Sequence, residues 1–195
     1  GADVALSGTL GAPAARVEAA AAALDLPVLG TTAIHATVAA DRTRVDVSPL
    51  TLTADGVTAG GEVRLDLTAN TLGGRLTADV PDARALQGDV PEEWRAAGSL
   101  STTAVFGGTV DEPVIDVAIT SPVIALGGER FEALDASGRL TLDGIDDIAI
   151  EVRQNEDGWL RGSGRYRFDR GFTASVEATG LSWRGELAGG VESRV

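Results

Sequence analysis

His35 is the only histidine of the chain, and there is no cysteine. A histidine acting as general base needs a nucleophile or substrate proton within hydrogen-bond reach. Its segment, Thr32-Ala33-Ile34-His35-Ala36-Thr37-Val38, alternates and sets His35 on the face opposite Ile34, Ala36 and Val38. It therefore reads as a solvated strand residue. Thiolate chemistry, disulfides and Cys-ligated metals are excluded, and one histidine cannot build a multi-His metal site. Neither a Gly-x-Ser-x-Gly elbow nor a P-loop is present, so acyl transfer and nucleotide chemistry lack their geometric signatures. Carboxylates cluster at Asp143-Gly144-Ile145-Asp146-Asp147 and Asn155-Glu156-Asp157-Gly158. Clustered oxygens suit calcium, but neither stretch has EF-hand spacing, and polar hairpin turns use the same residues. Arg161, Arg165, Arg167 and Arg170 form a local basic cluster, read as balancing neighbouring acids rather than receiving a lipid phosphate. Trp94, Trp159 and Trp183 are read as packing residues or strand-end plugs. No catalytic residue, metal or cofactor is assigned, and the chain is not read as an enzyme.

The elements that would carry these residues are set by composition. The chain has 195 residues, 16 basic (all Arg) against 29 acidic, and a formal net charge of −13. Such a surface does not track a phosphate backbone, which needs clustered positive charge, so no nucleic-acid partner is expected. The longest apolar run, Ala19 to Leu24, is far short of the ~20 residues that span a bilayer. No transmembrane segment or signal peptide is read from it, and an opening at Gly1 without an initiator Met suggests a processed chain or an excerpt of a longer one. Absence of cysteine suits the cytosol or a periplasmic protein without disulfides.

The dominant local pattern has period two, the mark of a strand with one buried face. Val45 and Val47 alternate with Arg44, Asp46 and Ser48, Val63, Leu65 and Leu67 with Glu62, Arg64, Asp66 and Thr68, and Ile115, Val117 and Ile119 with Asp116, Ala118 and Thr120. The same holds for Leu140 and Leu142, for Ile148, Ile150 and Val152, and for Tyr166 and Phe168. Phe172, Ala174, Val176 and Ala178 continue it. Turn chemistry is read at Asp55-Gly56, Gly60-Gly61, Gly73-Gly74, Gly127-Gly128, Asp143-Gly144 and Asn155 to Gly158. The rhythm predicts mostly antiparallel strands joined by short hairpins.

Two stretches compete for helix. Pro91-Glu92-Glu93-Trp94-Arg95 has proline and acids where a short helical turn would begin. Ala14 to Leu26 is rich in alanine, the best helix former. An internal recurrence argues against the second. Ser7-Gly8-Thr9-Leu10-Gly11-Ala12-Pro13 returns as Gly107-Gly108-Thr109-Val110-Asp111-Glu112-Pro113, one hundred residues on. Val57 to Asp66 resembles Leu160 to Asp169, at offset 103. The alignment sets Ala22 against Pro122, which breaks a helix. Ala14 to Leu24 is therefore read as strand. The organisation expected is two hairpin-rich repeats, 1–95 and 96–195, in one continuous sheet.

Pro91-Glu92-Glu93-Trp94-Arg95-Ala96-Ala97-Gly98-Ser99-Leu100, followed by Gly107-Gly108-Thr109-Val110-Asp111-Glu112-Pro113, resembles the recurring pattern of TamB-type proteins. Ala59 to Leu67 and Leu76 to Leu86 fit the same pattern, and AsmA-like and bridge-like lipid carriers are the broader relatives. The resemblance implies an all-β fold: an elongated, mostly antiparallel, curved sheet forming a taco-like apolar groove from two repeats of about 100 residues. It further implies a segment of a periplasm-spanning conduit that carries phospholipid between inner and outer membranes. The parent protein would be anchored in the inner membrane. An alternative is a scaffold presenting strand edges to an outer-membrane β-barrel of the TamA-like kind during outer-membrane protein assembly. Phospholipid acyl chains and such a barrel are the expected partners. The alternation nominates the groove lining: Val63, Leu65, Leu67, Ile115, Val117, Ile119, Leu140, Leu142, Ile148, Ile150, Val152, Tyr166 and Phe168. Faces with few large side chains can cover an acyl chain without filling the space themselves; the competing arrangement is a sandwich whose faces pack on each other.

Overall fold

A computed structural model describes residues 2–9, 12–26, 30–54, 56–86, 96–126 and 129–181. The first six strands are β1 (Ala2–Thr9), β2 (Ala12–Leu26), β3 (Gly30–Ala40), β4 (Arg44–Ala54), β5 (Val57–Asp66) and β6 (Thr71–Val80). A short 3-10 helix (Ala83–Leu86) precedes β7 (Ala96–Ala97), β8 (Leu100–Gly108) and β9 (Pro113–Ser121). Then come β10 (Ile124–Leu126), β11 (Glu129–Phe131), β12 (Ala133–Leu140), β13 (Gly144–Arg153), β14 (Trp159–Arg167) and β15 (Gly171–Thr179). There is no α-helix among the described residues.

Twelve strands form one open sheet in the order β1-β2-β3-β4-β5-β6-β8-β9-β12-β13-β14-β15, and β7, β10 and β11 form a second, three-stranded sheet. Neighbouring strands of the large sheet run antiparallel, as the short connections require. The β6–β8 ladder, Gly74 opposite Phe106 through Val80 opposite Leu100, carries the sheet without a break from one half of the chain to the other.

Ala14 to Leu24, read as strand from the recurrence and against alanine's propensity, lies within β2. Its partners decide this: β2 pairs with β1 on one side and β3 on the other, and tertiary pairing overrides a weak local preference. Two expected turns are corrected. Gly60-Gly61 and Gly73-Gly74 lie inside β5 and β6. Gly61 and Gly74 serve close approach of the neighbouring strand there, not a turn. A Cβ on Gly61 would collide with the Arg75 carbonyl oxygen and come within 2.9 Å of Leu76 Cα. Asn155 to Gly158 is a turn, with the Asn155 Oδ1 accepting from the Asp157 and Gly158 amides at 3.0 and 2.7 Å. Pro91 to Arg95 and Gly127-Gly128 lie outside the described residues.

Where burial is described, the buried hydrophobic side chains are Ala54, Val57, Val80, Ala83, Ile124, Phe131 and Val152. Ala54, Val57 and Val80 cluster on β4 to β6 with Leu52 and Leu100 against them, and a second cluster lies where the three-stranded sheet meets the large one. Ile124 and Phe131 pack on Val152, with Ala96, Leu100, Leu134 and Leu181 around them.

Candidate functional site

The feature that stands out is a face rather than a pocket. Directly opposed residues in a sheet share a face. Val17, Val38, Val47, Val63, Gly74, Phe106, Ile115, Leu140, Ile145, Tyr166 and Phe172 form one such chain of partners, each opposite the next. This row crosses the sheet from β2 to β15, and its one polar group is the Tyr166 hydroxyl. At ~4.8 Å per strand its ten steps cover about 48 Å. A parallel row runs Leu52, Ala59, Ala78, Thr102, Ile119, Ala136, Ile150, Gly162 and Val176.

Ten of the thirteen nominated residues stand on this face. Val63 and Leu65 come from β5, Ile115, Val117 and Ile119 from β9, Leu140 from β12, Ile148, Ile150 and Val152 from β13, and Tyr166 from β14. Five of them, Val117, Ile119, Leu140, Ile148 and Ile150, line one open depression of about 280 Å³ with Gly138 at its floor. The other three differ. The strands stop at Asp66, Leu140 and Arg167, so Leu67, Leu142 and Phe168 sit in turns, 47%, 64% and 57% exposed. The alternation ran on past the last ladder bond and could not mark the strand end. Phe168 still meets Tyr166 edge-on, with ring centroids 5.7 Å apart.

Sequence reasoning missed Leu50, Leu52, Leu72, Leu76 and Phe106, which share the face. Leu72 and Leu76 flank the glycine pair taken for a turn. Leu50 and Leu52 follow a slip of one residue after Val47. That slip, followed by renewed alternation, was the available signal.

The opposite face is charged and ordered by cross-strand ion pairs. Arg64 donates to Asp46 at 2.7 Å, Arg139 to Asp116 at 2.7 Å and Arg161 to Glu151 at 2.9 Å, each pair directly opposed in the ladder. Arg167 holds Asp146 at 2.7 Å and Arg170 holds Asp169 at 3.2 Å. Three of the four clustered arginines are thus engaged by acids, which fits the balancing reading. The hydrogen bond from Arg161, with its charge, holds the Glu151 carboxyl below the ordinary carboxylate range. Trp159 lies on this charged face under the Arg161 guanidinium, 4.6 Å from its ring centroid. His35 is exposed on the same side of β3. No group of three or more His, Asp or Glu that could hold a metal occurs among the described residues. Nor does any described helix have the length and hydropathy to cross a membrane.

No family model, curated protein or solved structure matches the chain.

Proposed function

We propose that the chain is a segment of a periplasmic β-trough that carries phospholipid acyl chains between the inner and outer membranes, as the TamB-type resemblance implies. The observation that carries this reading is the row of opposed apolar residues from Val17 to Phe172, on a face where Ile150, Tyr166, Phe172 and Val176 stand exposed. An apolar face of that length in water requires a cover. Acyl chains supply one without shape selection, because each buried methylene contributes ~0.8 kcal/mol wherever it lies along the row. The charged outer face, laced with arginine–carboxylate pairs, suits the solvent side of such a trough. Strand placement adds support to the two-repeat organisation: β4 begins at Arg44 and β13 at Gly144, β6 at Thr71 and β15 at Gly171.

Native mass spectrometry of the purified chain tests the proposal. Bound species with phospholipid masses, released on organic extraction, are the expected result. A lipid-free chain that stays lipid-free after incubation with phosphatidylethanolamine vesicles overturns it. If such a chain instead captures an outer-membrane barrel, the scaffold alternative replaces it.

A further inference from the structure

The two margins of the apolar face differ. On one, Ile124 and Phe131 of the three-stranded sheet pack with Leu100, Leu134 and Val152, which walls the ends of β8, β12 and β13 there. The other margin is a line of four hairpin turns, 67–70, 109–112, 141–143 and 168–170. Each carries one exposed apolar side chain: Leu67, Val110, Leu142 and Phe168. Bonds between turns hold the line. The Val110 amide donates to the Asn70 carbonyl at 3.3 Å, Asn70 Nδ2 to Asp111 Oδ2 at 3.0 Å, and the Phe168 amide to the Asp143 carbonyl at 3.0 Å. The margin is also acidic. Asp66, Asp111, Glu112, Asp143 and Asp169 stand there against Arg170, which Asp169 holds at 3.2 Å. Among the described residues none of the other four carboxylates has an ion-pair partner.

We propose that this margin selects the headgroup, so that the face takes zwitterionic, amine-bearing phospholipid in preference to anionic phospholipid. The inference rests on the acyl-chain reading and adds the class of lipid to it. A tail lying on the face leaves its headgroup in water, and the rows of opposed residues beneath it carry no charged side chain. Val63, Ile115, Leu140 and Tyr166 of the main row each lie three residues from a carboxylate of the margin, at most ~10 Å along the chain. That is close to the Debye length of ~8 Å at physiological ionic strength. The margin therefore attracts an ammonium group and repels a headgroup of net negative charge. Phe168, edge-on to Tyr166, carries apolar surface from the row to this margin.

The test offers the full chain one population of vesicles made of equal phosphatidylethanolamine and phosphatidylglycerol. The chain is then repurified and its bound lipid extracted and quantified. At ~0.15 M salt phosphatidylethanolamine should exceed phosphatidylglycerol severalfold, and at ~1 M, where the Debye length falls to ~3 Å, the excess should vanish. Asp66→Asn, Asp111→Asn and Asp143→Asn together keep an acceptor oxygen at each position and should bring the two lipids near parity at the lower salt. Glu62→Gln, Asp135→Asn and Glu177→Gln make an equal charge change on the opposite face and should leave the excess in place. Equal uptake of both lipids by the parent chain overturns this inference alone. So does an opposite-face variant that moves the ratio as far as the margin variant. A chain that takes up neither lipid overturns the acyl-chain reading, and this inference with it.

Discussion

Val47 and Leu50 lie three residues apart on β4 yet face the same side of the sheet. Val47 stands opposite Val63 and Val38, Leu50 opposite Gly61 and Ala36, with the register shifting between them on both sides. Ile145 and Ile148 do the same on β13, standing opposite Tyr166 and Gly164 across another shift. A bulge places extra residue on one strand and keeps later side chains in phase. Each of these shifts returns the second half of its strand to the apolar face.

Deleting Ser48 removes the extra residue in β4. Val47 and Leu50 are then separated by one residue, as Val63 and Gly61 are on β5 and Val38 and Ala36 on β3, so both halves of β4 keep the apolar face without the bulge. Urea unfolding should therefore change by less than about 1 kcal/mol, and a loss of several kcal/mol would show that the sheet depends on the bulge itself. Ser48→Ala, which keeps the count and changes only an exposed side chain, should stay within about 0.5 kcal/mol of the parent.

These bulges also mark what could be read from the sequence. Period two needs an uninterrupted run of contrasting residues. Ile115 to Ile119 and Ile148 to Val152 provide one, and both are strands with the expected face. Leu50 to Ala54 alternates as well, but out of phase with Val45 and Val47, so the shared face was not visible. Gly60-Gly61 and Gly73-Gly74 mimicked turns because glycine serves tight backbone approach as well as positive φ. The three-stranded sheet had almost no local signature. β10 and β11 are three residues each, too short for periodicity to register.

Gly74 has a positive φ of 146°, and a Cβ there would collide with the Glu62 carbonyl oxygen and stand 2.8 Å from Val63 Cα. Both partners are backbone and cannot swing away. Gly74→Ala should therefore destabilise the chain by about 2 kcal/mol or more, against the small gain alanine brings at permissive sites. Gly73→Ala is the matched control, since a Cβ at Gly73 meets nothing within 4 Å. Parallel thermal melts of the two variants read the difference directly.

Ile150 sits on the apolar face and is 39% exposed, so a charge there can be tolerated by the fold while interrupting an acyl track. Ile150→Asp and Leu65→Asp should each lower bound phospholipid severalfold in native mass spectra. Ala149→Asp, next in sequence but on the charged face, should leave it unchanged. Undiminished lipid on a folded Ile150→Asp chain would remove that residue from the lining.

Glu151 gives a pH prediction. Its hydrogen bond from Arg161 depresses its pKa below the ordinary 4.5. A depressed carboxylate stabilises the fold fully above its unfolded-state pKa, and that contribution disappears as pH falls through the lower folded-state value. Arg161→Gln removes the partner. The stability difference between parent and variant should thus be constant near neutrality and shrink below about pH 4.5. Urea titrations of both chains from pH 7 to pH 3 measure it, and a gap that widens on acidification would contradict the assignment.

Phe131 is 4% exposed and joins Ile124 of the small sheet to Val152 of the large one. Those contacts, with Ala96, Leu100, Leu134 and Leu181, seat the three-stranded sheet on one end of the apolar face. Phe131→Ala should cost about 3 kcal/mol, at the lower end for a buried aromatic because the site borders an open face. The loss should also be local. The main ladder, from β2 through β15, does not use Phe131, so its amides should keep their hydrogen-exchange protection. Amides of β10 and β11, including the Ile124–Phe131 pair, should exchange much faster. Uniform acceleration across both sheets would mean that the small sheet is part of the same cooperative unit rather than a separate layer resting on the apolar face.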